Sequence, residues 1–256
     1  MPMSLRLAHS DTGLRGQSDK YHPNRMLPGC IVQAPGSLNH HLRVLHQYST
    51  QQHFARNETI YSEGERADRF YKVISGTVRL CRHSPDGKRH IADFYLPGDL
   101  VGFVEFPAHP YSAEAVTEAT LCSYPRSQLE RLSATDPEIR LRVLSHLSAS
   151  LLAAQQHLFV LSCRNAKQRF GEFLLRLAER TDVGRGDRLD LAMGRQDIAD
   201  HLGLTIESVC RAIAALKSDG LVTVPNTHQL ILNDIEKLRA LANGSDEAAG
   251  HFRPTG

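Results

Sequence analysis

Within the run Thr205-Ile206-Glu207-Ser208-Val209-Cys210-Arg211, two charged side chains have the types and spacing to do recognition chemistry. Glu207 and Arg211 stand four residues apart, so on a helix they share a face. An exposed arginine donates two parallel hydrogen bonds to O6 and N7 of guanine, and a carboxylate accepts one from N4 of cytosine. Such a pair can therefore read neighbouring bases in a major groove. A plainer use exists as well. A first-turn Glu suits the helix dipole, and an i,i+4 Glu–Arg contact stabilises an isolated helix by about 0.2–0.5 kcal/mol. The element that carries the pair has to decide between the two.

That element is Arg195–Val222. Ile198, Ala199 and Leu202 mark one face of a short helix, and Gly203 permits a sharp reversal. Thr205 can cap a second helix, whose inward face is expected at Val209, Ile213, Ala214 and Leu216. Ser208, Cys210, Arg211 and Ala215 are left for other faces. Asp219-Gly220 ends the helix, and Leu221–Val224 and Gln229–Leu232 flank an expected Pro225-Asn226 turn, making a hairpin wing. Two short helices at a steep angle, the second bearing an arginine in its early turns, are a helix-turn-helix, and this favours the base-reading use of Glu207 and Arg211.

The run Arg195-Gln196-x-Ile198…Gly203-x-Thr205-x-Glu207-Ser208-Val209-x-Arg211 resembles the Crp/Fnr superfamily of bacterial transcription regulators, and Thr205–Arg211 is most similar to its Fnr and FixK branches. The resemblance implies that Arg211 reads guanine, that Glu207 contacts a base, and that Arg195, Gln196 and Thr205 hold the phosphate backbone with Ser208 beside them. Ile206 stands where the cyclic-AMP-dependent branch has a second base-reading arginine, which points from a TGTGA half-site to the TTGA type. Cys210 replaces a serine usual in Fnr-type helices. The expected DNA-binding set is Arg195, Gln196, Thr205, Ile206, Glu207, Ser208, Cys210 and Arg211. Cys210 has two readings. It is a small side chain suited to a thymine methyl, or it is a redox switch: the helix start and Arg211 favour thiolate there, and oxidation would set bulk or negative charge against DNA.

A chain of 256 residues with 41% hydrophobic content has room for one large or two ordinary globular domains. Its formal net charge of +2 gives no electrostatic argument for nucleic acid, so the DNA reading rests on the motif. No stretch approaches the ~20 apolar residues of a membrane span, and the first residues lack the apolar core of a signal peptide, so a cytoplasmic protein is expected. Cys30, Cys81, Cys122, Cys163 and Cys210 are widely spread without a C-x-x-C, which suggests free thiols. Residues 1–36 are rich in Gly, Pro, Ser, His and charge and are expected to form a poorly ordered extension, within which Met26 is an alternative start.

From His53 to about Arg131 short apolar runs alternate with turn signals such as Ser75-Gly76, Pro85-Asp86-Gly87 and Pro97-Gly98-Asp99, the pattern of an antiparallel barrel or sandwich. Together with the helix-turn-helix downstream, this order resembles the cyclic-nucleotide-binding-type β-roll of Crp/Fnr proteins, and Leu96–Phe103 matches the Fnr branch. No cyclic nucleotide is expected. The ribose-holding Glu of the cyclic-AMP branch falls on Phe103, and its phosphate-holding Arg-Ser pair falls on Tyr111-Ser112, which leaves a buried phosphate without a cation. The Fnr iron–sulfur ligands fit no better. Cys122 matches one position, but Cys30 is the sole cysteine before Cys81, so no cluster is expected and Cys122 reads as a small buried residue. The 14 histidines, with His40, His41, His46 and His53 closest together, match no metal-site spacing. No cofactor or metal is assigned.

Asp136-Pro137 opens a helix in which Leu144, Leu147, Leu151, Ala154, Leu158 and Leu161 recur as a heptad seam of about two and a half repeats. The seam suits a dimer on a palindrome, as the resemblance also implies, while an ordinary amphipathic helix on the barrel is the alternative. After a hinge at Cys163–Asn165, Phe170, Phe173, Leu174 and Leu177 mark another helix; a last helix at 233–243 is expected to cover the wing. The expected fold is α+β: a β-roll over 37–134, a dimerisation helix over 135–163, a winged helix-turn-helix over 164–244 and a loose tail over 245–256. The expected protein is a homodimer that partners double-stranded DNA and RNA polymerase, with no catalytic set, P-loop or carboxylate pair. Its expected sites are TTGA-N6-TCAA palindromes before genes for low-oxygen life, nitrogen fixation or denitrification. The alternative is a regulator that needs haem or another effector in the roll.

Overall fold

The computed structural model of the chain describes residues 42–104 and 106–244. The extension expected at 1–36 with Met26 and Cys30, the pair His40-His41 and the tail at 245–256 lie outside the described residues.

After a 3-10 turn at Leu42–Tyr48, eight short strands follow: β1 (Thr50–Phe54), β2 (Thr59–Tyr61), β3 (Arg69–Ser75), β4 (Val78–His83), β5 (Arg89–Tyr95), β6 (Leu100–Val101), β7 (Ser112–Ala115) and β8 (Ala119–Pro125). They form two four-stranded antiparallel sheets, ordered β1-β8-β3-β6 and β2-β7-β4-β5. Tyr61, Val73, Val78, Val101, Ala113 and Leu121 share one buried apolar cluster fed by strands of both sheets, so the alternation in the sequence is that of a two-sheet roll. The β3–β4 turn depends on Gly76. Its φ is +82°, and a Cβ there would lie 2.3 Å from the Glu118 carbonyl oxygen.

Helix α1 (Arg126–Thr135) stands where the sequence pattern places the end of the strand-rich segment. It buries Leu129 alone, so it carries no apolar stripe to announce it. Helix α2 (Pro137–Cys163) begins as expected, with the Asp136 carboxylate accepting from the backbone N–H of Glu138 at 2.9 Å and Ile139 at 3.4 Å and Pro137 in the first turn. Its 27 residues extend about 40 Å. Leu144, Leu151 and Leu158 on its seam are 56%, 61% and 65% exposed, so the described residues of the single chain leave them uncovered.

Helix α3 (Ala166–Thr181) starts at a reciprocal capping box between Asn165 and Gln168. Strand β9 (Arg188–Asp190) precedes α4 (Arg195–Leu202) and α5 (Ile206–Ser218), then β10 (Val222–Asn226), β11 (Gln229–Leu232) and α6 (Ile235–Ala242). Three details differ from expectation. The inward face of α5 is Val209, Ala212, Ile213 and Leu216, and Ala214 is exposed. The wing turns at Thr227-His228, with Pro225-Asn226 inside β10; that strand is the edge of the β10-β11-β9 sheet, where a missing N–H is tolerated. Helix α6 lies on α3 instead of the wing, Leu238 packing over Gly171.

One apolar cluster crosses between the two halves of the molecule. Ile91, Phe94 and Leu96 of the roll join Phe173, Ile198 and Leu202 of the winged domain. The roll therefore has a fixed seat against α4.

Candidate nucleic-acid interface

Helices α4 and α5 are joined through Gly203, which has φ +61° and closes α4 in the left-handed conformation. The Thr205 hydroxyl then accepts the backbone N–H of Ser208 at 3.2 Å, capping α5 as its sequence implied. Val209, Ala212, Ile213 and Leu216 anchor α5 in the core. The opposite side consequently faces solvent, and Thr205, Ile206, Glu207, Cys210 and Arg211 are all exposed on it, with Ser208 half-buried.

Glu207 and Arg211 make no ion pair among the described residues. Arg211 instead donates to the Ser208 hydroxyl at 3.3 Å, and that hydroxyl also accepts from Thr205 at 3.1 Å. Glu207 keeps its carboxyl below the usual carboxylate range through its own backbone N–H first, then the Thr205 hydroxyl, with Arg211 a smaller contribution. The i,i+4 pair is therefore not closed into a direct contact, and both exposed charges remain accessible to a ligand.

On α4, Arg195 is half-buried and its guanidinium lies 3.6 Å from the Cys210 sulfur. Gln196 is exposed and donates to Asp200 at 2.7 Å. All eight expected side chains therefore border one surface at the start of the two helices. Lys167 of α3, which the motif does not single out, pairs with Asp219 at the far end of α5. The motif does not mark Asp197 and Asp200 either. Their partners are Arg79 and Arg89, more than 100 residues earlier, and no local signal marks such a contact.

In the roll, the Phe103 ring packs edge-on against Phe70 and against His146 of α2, with centroids 5.4 and 5.3 Å away. The Ser112 hydroxyl accepts the Glu63 backbone N–H at 2.9 Å. Cys122 is buried, its thiol 3.6 Å from the Ser49 hydroxyl. Among the described residues no three His, Cys, Asp or Glu side chains group to hold a metal, and no helix is long and apolar enough to cross a membrane.

A β-roll, a long helix with an uncovered seam and a winged helix-turn-helix with an open reading face define a class of DNA-binding regulator. Residues 51–136 match the cyclic nucleotide-binding domain and residues 168–241 the Crp-like helix-turn-helix domain, and the chain belongs to the Crp/Fnr family. Within it the chain is FixK-like. It is 41% identical over 191 residues to the nitrogen fixation regulation protein FixK of Azorhizobium caulinodans, covering 73% of this chain and 77% of that one. To FixK of Rhizobium meliloti it is 38% identical over 184 residues, 72% of this chain and 83% of that one. The structure of FixK2 from Bradyrhizobium japonicum superposes with a TM-score of 0.72 at 32% identity, covering 75% of this chain and 96% of the other.

Proposed function

We propose that the protein is a homodimeric transcription activator that reads a TTGA-N6-TCAA palindrome without a bound effector and controls genes of nitrogen fixation or low-oxygen metabolism. The observation that carries this reading is the exposed, mutually unpaired Glu207 and Arg211 in the first turns of α5. Arg195, Gln196 and Thr205 take the phosphate backbone, and Ile206 leaves the TGTGA guanine unread. The exposed Leu144, Leu151 and Leu158 seam supports pairing of two chains, which sets two recognition helices on the two half-sites. The protein acts in the cytoplasm, contacts RNA polymerase as activators do, and has no catalytic role.

Effector independence is supported by the roll. Phe103 is held by ring packing, and neither it nor Tyr111 or Ser112 supplies a cation for a cyclic phosphate. The test is binding of the purified, reduced protein to TTGA-N6-TCAA, TGTGA and scrambled duplexes at fixed salt. Selection of the first is expected. Failure on all three, with selection restored by a compound that binds the roll, would establish the effector-dependent alternative.

The contact between Arg195 and the Cys210 sulfur supports the redox reading of Cys210, because the guanidinium stabilises the anionic sulfinate that successive peroxide oxidations produce. Arg195 would then be drawn off the phosphates. Peroxide is expected to abolish DNA binding by the parent and to spare Cys210→Ser; equal loss in both would rule the switch out.

A further inference from the structure

The roll and the winged domain are tied by a network of charges that base reading does not call for. Arg79 of β4 has a side chain only 7% exposed; it pairs with Glu114 of β7 at 2.7 Å and reaches Asp197 of α4 at 3.3 Å. Arg89, at the start of β5, donates to Asp197 and places its Nε 2.9 Å from one oxygen of Asp200. The other Asp200 oxygen accepts from Gln196. An unbroken chain of hydrogen bonds therefore runs from the sheet of the roll to a side chain that the proposed function sets against DNA.

The charges need this arrangement. Asp200 lies one turn along the same short helix from Gln196 and bonds to it, so its carboxylate stands beside the proposed phosphate path, whereas Asp197 is buried against the roll. Asp197 has a local role, accepting the Gly194 N–H at the helix start. Asp200 has none of that kind: among the described residues its charge is met by Arg89 alone. Without that partner a negative charge would stand behind Gln196 and repel the backbone. Arg89 and Asp200 also line an open cleft of about 630 Å³ between the β4–β5 hairpin and the start of α5, together with Lys88 and Thr205.

We infer that Arg89 of the roll is a positioning residue for DNA binding: through Asp200 it orients Gln196 and cancels the carboxylate charge beside the phosphate path. The inference rests on the DNA reading proposed above. It explains how a regulator without an effector keeps its helix-turn-helix ready, since the orientation an effector would impose is built into fixed ion pairs.

Full-length variants test it. Arg89→Ala is expected to raise the Kd for the TTGA duplex about tenfold at fixed salt, and Arg89→Ala combined with Asp200→Asn is expected to recover most of that loss, because the uncompensated charge is gone while an amide oxygen still accepts from Gln196. A double variant as weak as Arg89→Ala would mean that Arg89 touches phosphate itself, and a single variant that binds like the parent would mean that it does not matter; either overturns the inference. Amide hydrogen exchange of α4 in the DNA-free protein separates this from the palindrome reading. Arg89→Ala is expected to speed exchange in α4 but not in α3. If the parent fails to select TTGA, the palindrome reading falls while exchange still judges the network, and unchanged exchange overturns the network by itself.

Discussion

The imidazole rings of His157 in α2 and His201 in α4 stack face to face, centroids 4.3 Å apart and planes 13° from parallel. The edges of Phe94 and Phe173 close around His201, and one of its ring nitrogens lies 3.2 Å from the Ile91 carbonyl. Burial, and then the neighbouring His157, hold His201 well below the ordinary histidine range, at about 4.

The sign of the pH dependence follows. Between the ordinary histidine value near 6.5 and the folded value of about 4, the unfolded chain binds a proton that the folded chain does not, so stability falls as the pH falls through that window. Over the whole window His201 contributes a loss of roughly 3 kcal/mol. Thermal melting is expected to drop steadily from pH 7 to pH 4.5. His201→Phe is expected to flatten that slope, and a slope identical to the parent's would show that His201 is not the group responsible.

Arg211→Ala removes the proposed guanine contact. A loss of ~1–3 kcal/mol in binding the TTGA palindrome is expected, with relaxed preference at the guanine. Titration of a duplex series with each base at that position measures both, and retention of the parent's selectivity would end the proposed readout.

Arg195→Ala is expected to act differently. Affinity should drop alike on specific and scrambled duplexes, and the slope of log K against log salt should shrink by about one for each phosphate that no longer meets a guanidinium. A loss confined to the palindrome would give Arg195 a base-reading role in place of a backbone one.

Leu151→Glu with Leu158→Glu puts charge on the exposed seam of α2. Since neither side chain is covered in the single chain, folding of the monomer is expected to survive while sedimentation shows one-chain mass and palindrome binding falls by orders of magnitude. A double variant that still sediments as two chains would place the dimer contact elsewhere.

Much of the reading head was legible because its chemistry is local. Gly203 and Thr205 announce a turn and a cap within three residues, and Val209, Ile213 and Leu216 recur at helical spacing. Ala212 and Ala214 could not be told apart, since alanine fits either environment and only the packing decides. Turn chemistry misled at Pro225-Asn226, where an edge strand accommodates what a central one would refuse. Adjacency misled at α6, which follows the wing in the chain but finds its apolar partner on α3. Helix α1 was hidden behind a single buried leucine, and the contacts of Arg79 and Arg89 with α4 behind sequence separations of 108 to 118 residues.

Pro225 has one more effect. It deprives the outer strand of the wing of a backbone donor, and the pairing of β10 with β11 slips between Thr223 and Asn226, so the free edge is bent as well as incomplete. Such an edge is a poor template for another strand. A second copy of the chain brought against the wing therefore finds little to pair with, which guards against joining sheet to sheet into aggregates.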